Sequence, residues 1–419
     1  MNCLFPQRTR RVVVTGLGVV APNGCELDSF WSSLTAGTSA ASAITRFEPA
    51  DLPAKIACEV TGFRASRHLE PARARKLELS IRYGVSAARM AYEDAGLSSG
   101  ELDAQRVGVI EGSVASGIES AFKAQSVYAE KGYSSMSPYT VTNAFGTGGC
   151  VETAKELDCR GPVMALGTGG AAGNDAVGMA LDMIRADRAD VMFAGGTEAP
   201  LVAPLIGAFC QRNLLSTAND DPASAMKPFD ANHDGSVLGE GAGYLVLEEL
   251  SHALVRNARI YAEVVGYGTA SEAQDSILPD EQGRGTSEAI GLALLQARLD
   301  PADIQYVNLD GMATEKHDLA EANGVQNAIG ARAETIACSA TKPVTGHLLG
   351  AAGAIESVIT TLAIHRQEIP PTINHSVMAD GCRLDLVTEG SRPYPVEAAL
   401  NLNTGLGGKY SCIALKRFS

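Results

Sequence analysis

Short β-branched runs alternate with long Ala-rich stretches along this chain. Val12–Val14, Val107–Glu111, Val191–Phe193 and Tyr244–Leu247 read as strands, and the stretches from Ser80 to Ala95 and from Ala171 to Ala186 between them read as helices. Strands that cross over through helices predict an α/β fold with a buried sheet. A second series begins at Arg259 with Ile-Tyr-Ala-Glu-Val-Val. It continues through a helix at Ser287–Ala297, strands at Tyr306–Leu309 and Thr335–Cys338, and a helix from Ala351 to His365.

The two series echo each other. Gly-Gly-Ala-Ala-Gly173 leads into a helix in the first, and Leu-Gly-Ala-Ala-Gly353 does so in the second. We read an internal duplication joined near residues 249–257, with halves at 1–255 and 256–419. An early Gly16-Leu-Gly18-Val-Val-Ala21 fits the G-x-G-x-x-A dinucleotide pattern. Pro22-Asn23-Gly24 breaks the helix that would hold a pyrophosphate, so the reading is a tight turn and no cofactor is expected.

Composition narrows the setting. The 419 residues are 45% hydrophobic and 20% charged, which describes a soluble globular chain. The longest apolar runs fall far short of the roughly 20 residues that cross a bilayer. The N-terminal Met-Asn-Cys-Leu-Phe-Pro-Gln-Arg-Thr-Arg-Arg has the wrong order for a secretory signal, and a cytoplasmic location is expected. Nine cysteines, with no C-x-x-C pair, fit neither a disulfide framework nor a metal site. A net charge of -14 argues against a nucleic acid partner. An acidic partner would need a local basic patch; Arg64, Arg67, Arg73, Arg75 and Lys76 cluster, though a solvated helix face accounts for them.

Three segments bear on chemistry. Around Gly170, the run Thr168-Gly-Gly-Ala-Ala-Gly173 has the form of a strand-to-helix turn that presents a side chain at a helix N-terminus, where a thiol is acidified and backbone N–H groups face an oxyanion. Tyr306-Val-Asn-Leu-Asp310-Gly-Met-Ala-Thr314 is the second. In the third, His347 sits on a Gly-flanked turn ahead of a helix; Lys342 lies five residues upstream, and Glu356 is available as a partner.

With these residues in view the chain resembles the β-ketoacyl synthases of the thiolase superfamily. The likeness rests on Val13-Val-Thr-Gly-Leu-Gly-Val-Val-Ala-Pro-Asn-Gly24, Ala194-Gly-Gly-Thr-Glu-Ala199, Lys227-Pro-Phe-Asp230, Gly239-Glu-Gly-Ala-Gly243 and Thr341 through Gly353. It implies a thiolase-like fold, two duplicated αβαβα halves forming a five-layered core. It also implies a Cys-His-His site in which the cysteine takes an acyl chain and the histidines drive decarboxylation of malonyl on an acyl carrier protein. Carried over, the cysteine falls on Gly170, the first histidine on Asp310 and the second on His347, with Lys342 retained. The family's gating loop reads Thr404-Gly-Leu406-Gly-Gly408, and the phenylalanine of its Asp-Gly-Phe element falls on Ser236.

Glycine cannot form a thioester, and Thr168, on the strand before the turn, cannot share its direction. An ionised Asp310 would repel malonate at a cost of about 4 kcal/mol for unit charges near 4 Å at an effective dielectric near 20. The combined departures resemble the chain length factor, the noncatalytic subunit that pairs with an active ketosynthase in type II polyketide systems. In that reading Ala115, Ile118, Tyr139, Thr140 and Thr142 line an acyl tunnel or interface, with Thr140 leaving room for a longer chain. The alternative is an enzyme, a malonyl carrier decarboxylase or unusual acyltransferase working through His347 and Lys342.

Overall fold

The computed structural model describes residues 10–98, 100 and 102–419, so the N-terminal basic segment through Thr9, including Cys3, lies outside the described residues. Eleven strands form one hydrogen-bonded order built of two runs. The first run reads, side by side, Val12–Val20, Gly241–Glu249, Val191–Glu198, Val107–Gly112 and Val163–Leu166. The second reads Ala262–Ser271, Lys409–Lys416, Ala398–Gly405, Tyr306–Leu309 and Ala337–Ala340, with Asp385–Leu386 added at its edge. In both, the first two pairings are antiparallel and the next two parallel. Among the described residues the strands of the two runs pair with each other only through Val12–Val14 against Ala262–Val264.

The β-branched runs make strands because both faces of this sheet are covered; Val12–Val20, Val191–Glu198 and Gly241–Glu249 are buried at every position. Helices Ala172–Arg185 and Ala352–Arg366 pack on each other and on strands of both runs, forming the central layer. Leu79–Asp94 covers the outer face of the first run and Arg284–Ala297 that of the second. These helices and strands give the five-layered thiolase-like arrangement. Buried at every position from Ala352 to Ile364, Ala352–Arg366 is the helix that such a middle position demands.

Glycines set the close approaches. A Cβ at Gly353 would lie 2.6 Å from the backbone nitrogen of Asn174, and one at Gly173 would strike the backbone nitrogen of Ala354, so the two echoed glycines are where the central helices cross. Gly16 and Gly18 correct the expected tight turn: Val12–Val20 is one continuous strand, and the turn comes later, where Ala21 pairs with Gly24. The two glycines instead let carbonyls of Ala91 and Ala87 on the covering helix press against the strand. Gly266 and Gly268 do the same beneath Ala293 and Ala289 in the second run.

Candidate functional site

Strand Val163–Leu166 ends before Thr168, which therefore lies off the strand, contrary to expectation, and donates its hydroxyl to Asp175. Gly169–Ala171 then make one tight helical turn before the central helix begins at Ala172. The matching turn Leu349–Ala351 precedes the other central helix and carries the His347 segment. These paired turns bring Gly170 and His347 together. An ideal Cβ at Gly170 would lie 3.7 Å from His347 Cε1.

That Cβ would also collide with the carbonyl oxygen of Thr404. Thr404 and Gly405 end a strand, and the turn through Leu406 joins it to Lys409–Lys416. Here backbone meets backbone: a Cβ on Gly169 would be 3.0 Å from Gly405 Cα, and one on Gly405 would be 2.6 Å from the Thr168 carbonyl. Thr404 and Leu406 are half-buried, while Gly170 is buried and His347 is 3% exposed.

Asp310 stands at the end of strand Tyr306–Leu309, in a loop held by carboxylates from helix Glu315–Ile329. Glu321 accepts the backbone N–H groups of Asp310 (2.7 Å) and Gly311 (2.9 Å), and Asp318 accepts that of Ala313 (3.0 Å). Lys342 Nζ donates to Asp310 Oδ1 and to Glu356 Oε1, both at 2.7 Å, and all three groups are buried. Asn403 donates to the same Asp310 oxygen at 3.1 Å and also to Glu356. Ser236 donates its hydroxyl to the Met312 carbonyl, tying the Asp-Gly-Ser turn to the same loop.

Burial alone would raise the Asp310 carboxyl, but the Lys342 ammonium and His347 hold it below the usual carboxylate range. Burial would lower Lys342; Asp310 and Glu356 carry it above its ordinary value instead. Burial, with the Lys342 charge beside it, pushes His347 down to about 4, and its Nδ1 has no hydrogen-bond partner. Glu356 is pushed up to about 7 by burial against the pull of Lys342. Asp310 is thus ionised but compensated, so the bare repulsion of about 4 kcal/mol expected for malonate does not apply. Its carboxylate still cannot provide the N–H that an imidazole would offer a developing enolate.

Of the other expected residues, Ala115 is buried in a turn whose backbone and Ser113 hydroxyl are held by Glu198, a carboxyl that burial pushes up to about 7. Ile118 and Thr140 are half-buried; Tyr139 and Thr142 are exposed. They do not converge on Gly170 as first neighbours. They sit on a flap, residues 114–147, whose helix Ile118–Lys131 buries none of its side chains. Asn403 and Glu321 escaped the sequence reading. Their one signal is a pair of asparagines, Asn401 and Asn403, alternating with Leu400 and Leu402 along one strand, and a Glu three residues after Asp318.

The chain matches the β-ketoacyl synthase N-terminal domain over residues 9–253 and the C-terminal domain over 261–376. It belongs to the β-ketoacyl synthase family. The 3-oxoacyl-[acyl-carrier-protein] synthase 2 of Synechocystis sp. is 37% identical over 409 residues, covering 98% of each chain. That of Coxiella burnetii is 38% identical over 408 residues, covering 97% of this chain and 99% of the relative. Among solved structures, a type II polyketide synthase acyl-carrier protein in complex with its ketosynthase matches with a TM-score of 0.90 at 32% identity. The ishigamide ketosynthase/chain length factor matches with a TM-score of 0.91 at 30% identity; both matches cover 98% of this chain and 100% of the other.

Proposed function

We propose that this chain is a noncatalytic chain length factor, which pairs with an active ketosynthase and shapes the tunnel that receives a growing acyl or polyketide chain. The observation that carries the reading is Gly170. It heads a buried helix opposite His347, has no atom that could hold an acyl group, and has the Thr404 backbone in the space a thiol would need.

Two further features support a partner. Strand Val163–Leu166, which runs into the Gly170 turn, is hydrogen-bonded to Val107–Gly112 on one side and, among the described residues, has no strand on the other. Unpaired backbone groups along such an edge are satisfied by another chain. Of fourteen large apolar side chains exposed among the described residues, eight lie between Val114 and Val151. Concentrated exposure of this kind marks an interaction face. One relative's solved complex contains an acyl-carrier protein, and a carrier protein is the expected third component. We place the seam between the two halves at 255/256, just past the end of strand Gly241–Glu249.

Co-expression with a Cys-His-His ketosynthase followed by size-exclusion chromatography tests the assignment. A one-to-one complex whose product length differs from that of the ketosynthase alone is expected. Two separate homo-oligomers, with full polyketide synthesis by the ketosynthase alone, overturn it. The retained His347 and Lys342 favour one second reading, decarboxylation of malonyl carrier protein. Mass spectrometry of the isolated chain with malonyl carrier protein decides that case: turnover above a His347→Ala control is its requirement.

A further inference from the structure

Helix Ile118–Lys131 of the flap stands off the body of the molecule. It packs mainly on Tyr133–Ser135 and Thr140–Ala144, which belong to the flap itself. A cleft of about 700 Å³ separates its Phe122 and Val127 from Phe47, Leu201 and Pro204 of the body. No side chain of the helix is buried, so the flap is held by its two roots and by polar ties. Glu78 accepts the Gly117 N–H at 3.0 Å, and Asn143 donates to the Lys76 carbonyl at 2.8 Å.

Each root rests on a buried carboxyl. At the near root Glu198 accepts the Ser113 hydroxyl at 2.8 Å, the Val114 N–H, and the Ala115 N–H at 3.2 Å. At the far root Glu111 lies under the start of helix Gly148–Glu156. A Cβ on Gly149 would fall 1.9 Å from Glu111 Oε1, and that oxygen has no hydrogen-bond partner. The two carboxyls stand on paired strands, Val107–Gly112 and Val191–Glu198. Glu111 is faced by the Tyr244 hydroxyl, by Cys150, by Gly84 of helix Leu79–Asp94 and by the charge of Glu198. Glu198 is faced by Ser113 and by the N–H groups of Val114, Ala115 and Gly350. Neither carboxyl has a cation as partner among the described residues.

A carboxylate shut from water without a cation is unfavourable, so each root closes best on the neutral acid. Burial accordingly pushes both carboxyls up to about 7. Release of a root lets water reach its carboxyl, which then ionises in the ordinary carboxyl range. The released flap thus binds fewer protons than the seated one, and seating weakens as pH rises through the interval between the two values.

We propose that Glu198 and Glu111 are a proton-operated latch, which seats the flap on the body while both are neutral and loosens its roots when they ionise. The exposed apolar side chains concentrate on this segment, so the latch sets how well ordered that face is when a partner arrives. It is a property of the single chain and does not depend on which protein docks there.

Hydrogen–deuterium exchange of the full-length chain alone, read by mass spectrometry in peptides that contain residues 114–117 and 148–150, tests the latch. After correction for the intrinsic exchange rate, wild-type protection at both roots should fall by about tenfold or more between pH 5.5 and 8, while strand Val12–Val20 keeps its protection. Glu198→Gln should flatten the profile at the near root and Glu111→Gln at the far root; either variant suffices if the other fails to fold. Equal protection at the two pH values, an equal loss in strand Val12–Val20, or an unchanged profile in the Gln variants overturns the proposal.

Discussion

At Gly170 the obstacle to a side chain is the Thr404 carbonyl, so the glycine is a packing requirement. Gly170→Cys should lower stability by about 1–3 kcal/mol through overpacking, read from the urea midpoint, and the new thiol should stay unacylated with Asp310 still in place. His347 gives a pH signature. Its folded pKa of about 4 lies below the unfolded value, so the unfolded chain binds the proton first as pH falls. The stability it contributes is complete above about pH 6.5 and is lost between there and pH 4, a span of about 3 kcal/mol. Glu111 and Glu198, each raised to about 7 by burial, act oppositely: their contribution is present below about pH 4.5 and fades as pH rises toward 7. Removing the histidine term leaves the carboxyl term exposed. His347→Leu should therefore lose stability more steeply than the wild type between pH 4.5 and 6.5, as denaturation at stepped pH will measure.

Among the elements, the sequence pattern revealed those whose period is dictated by burial. The β-branched strands and the two central helices were legible because each has one environment along its length. Helix Ile118–Lys131 was not, since a helix that buries nothing carries no apolar stripe to read. Gly16 and Gly18 were misread because a glycine needed for helix approach looks in sequence like one needed for a turn. The site divides similarly: Gly170, Asp310, His347 and Lys342 stand in family motifs, whereas Asn403 and Glu321 matter through contacts with distant chain segments. The edge strand Val163–Leu166 offers an element-scale test. Pro162 and Leu166 carbonyls face strand Val107–Gly112, which by alternation turns the N–H of Ala165 outward. Ala165→Pro should leave the isolated chain folded, as proline is tolerated on edges, yet abolish co-elution with a ketosynthase.

For the whole molecule, the repeated strand order and the crossing of the central helices at Gly173 and Gly353 bring the Gly170 and His347 turns side by side. A chain built this way keeps its shape independently of the site, because its layers are held by packing. The proposed influence on product length would act through volume. Thr140→Phe, in the two-subunit assembly, should shift the main product to shorter chains by mass spectrometry while leaving assembly intact; an unchanged product would remove Thr140 from the tunnel wall. The flap and the open strand edge also bear on supply. A copy made in excess of whatever covers them leaves aromatic side chains and free backbone groups together in water, which is a template for aggregation. Under the proposed pairing, synthesis of this chain and of its partner has to be matched in dose, and high-yield production of this chain alone should give aggregates that co-expression of the partner removes.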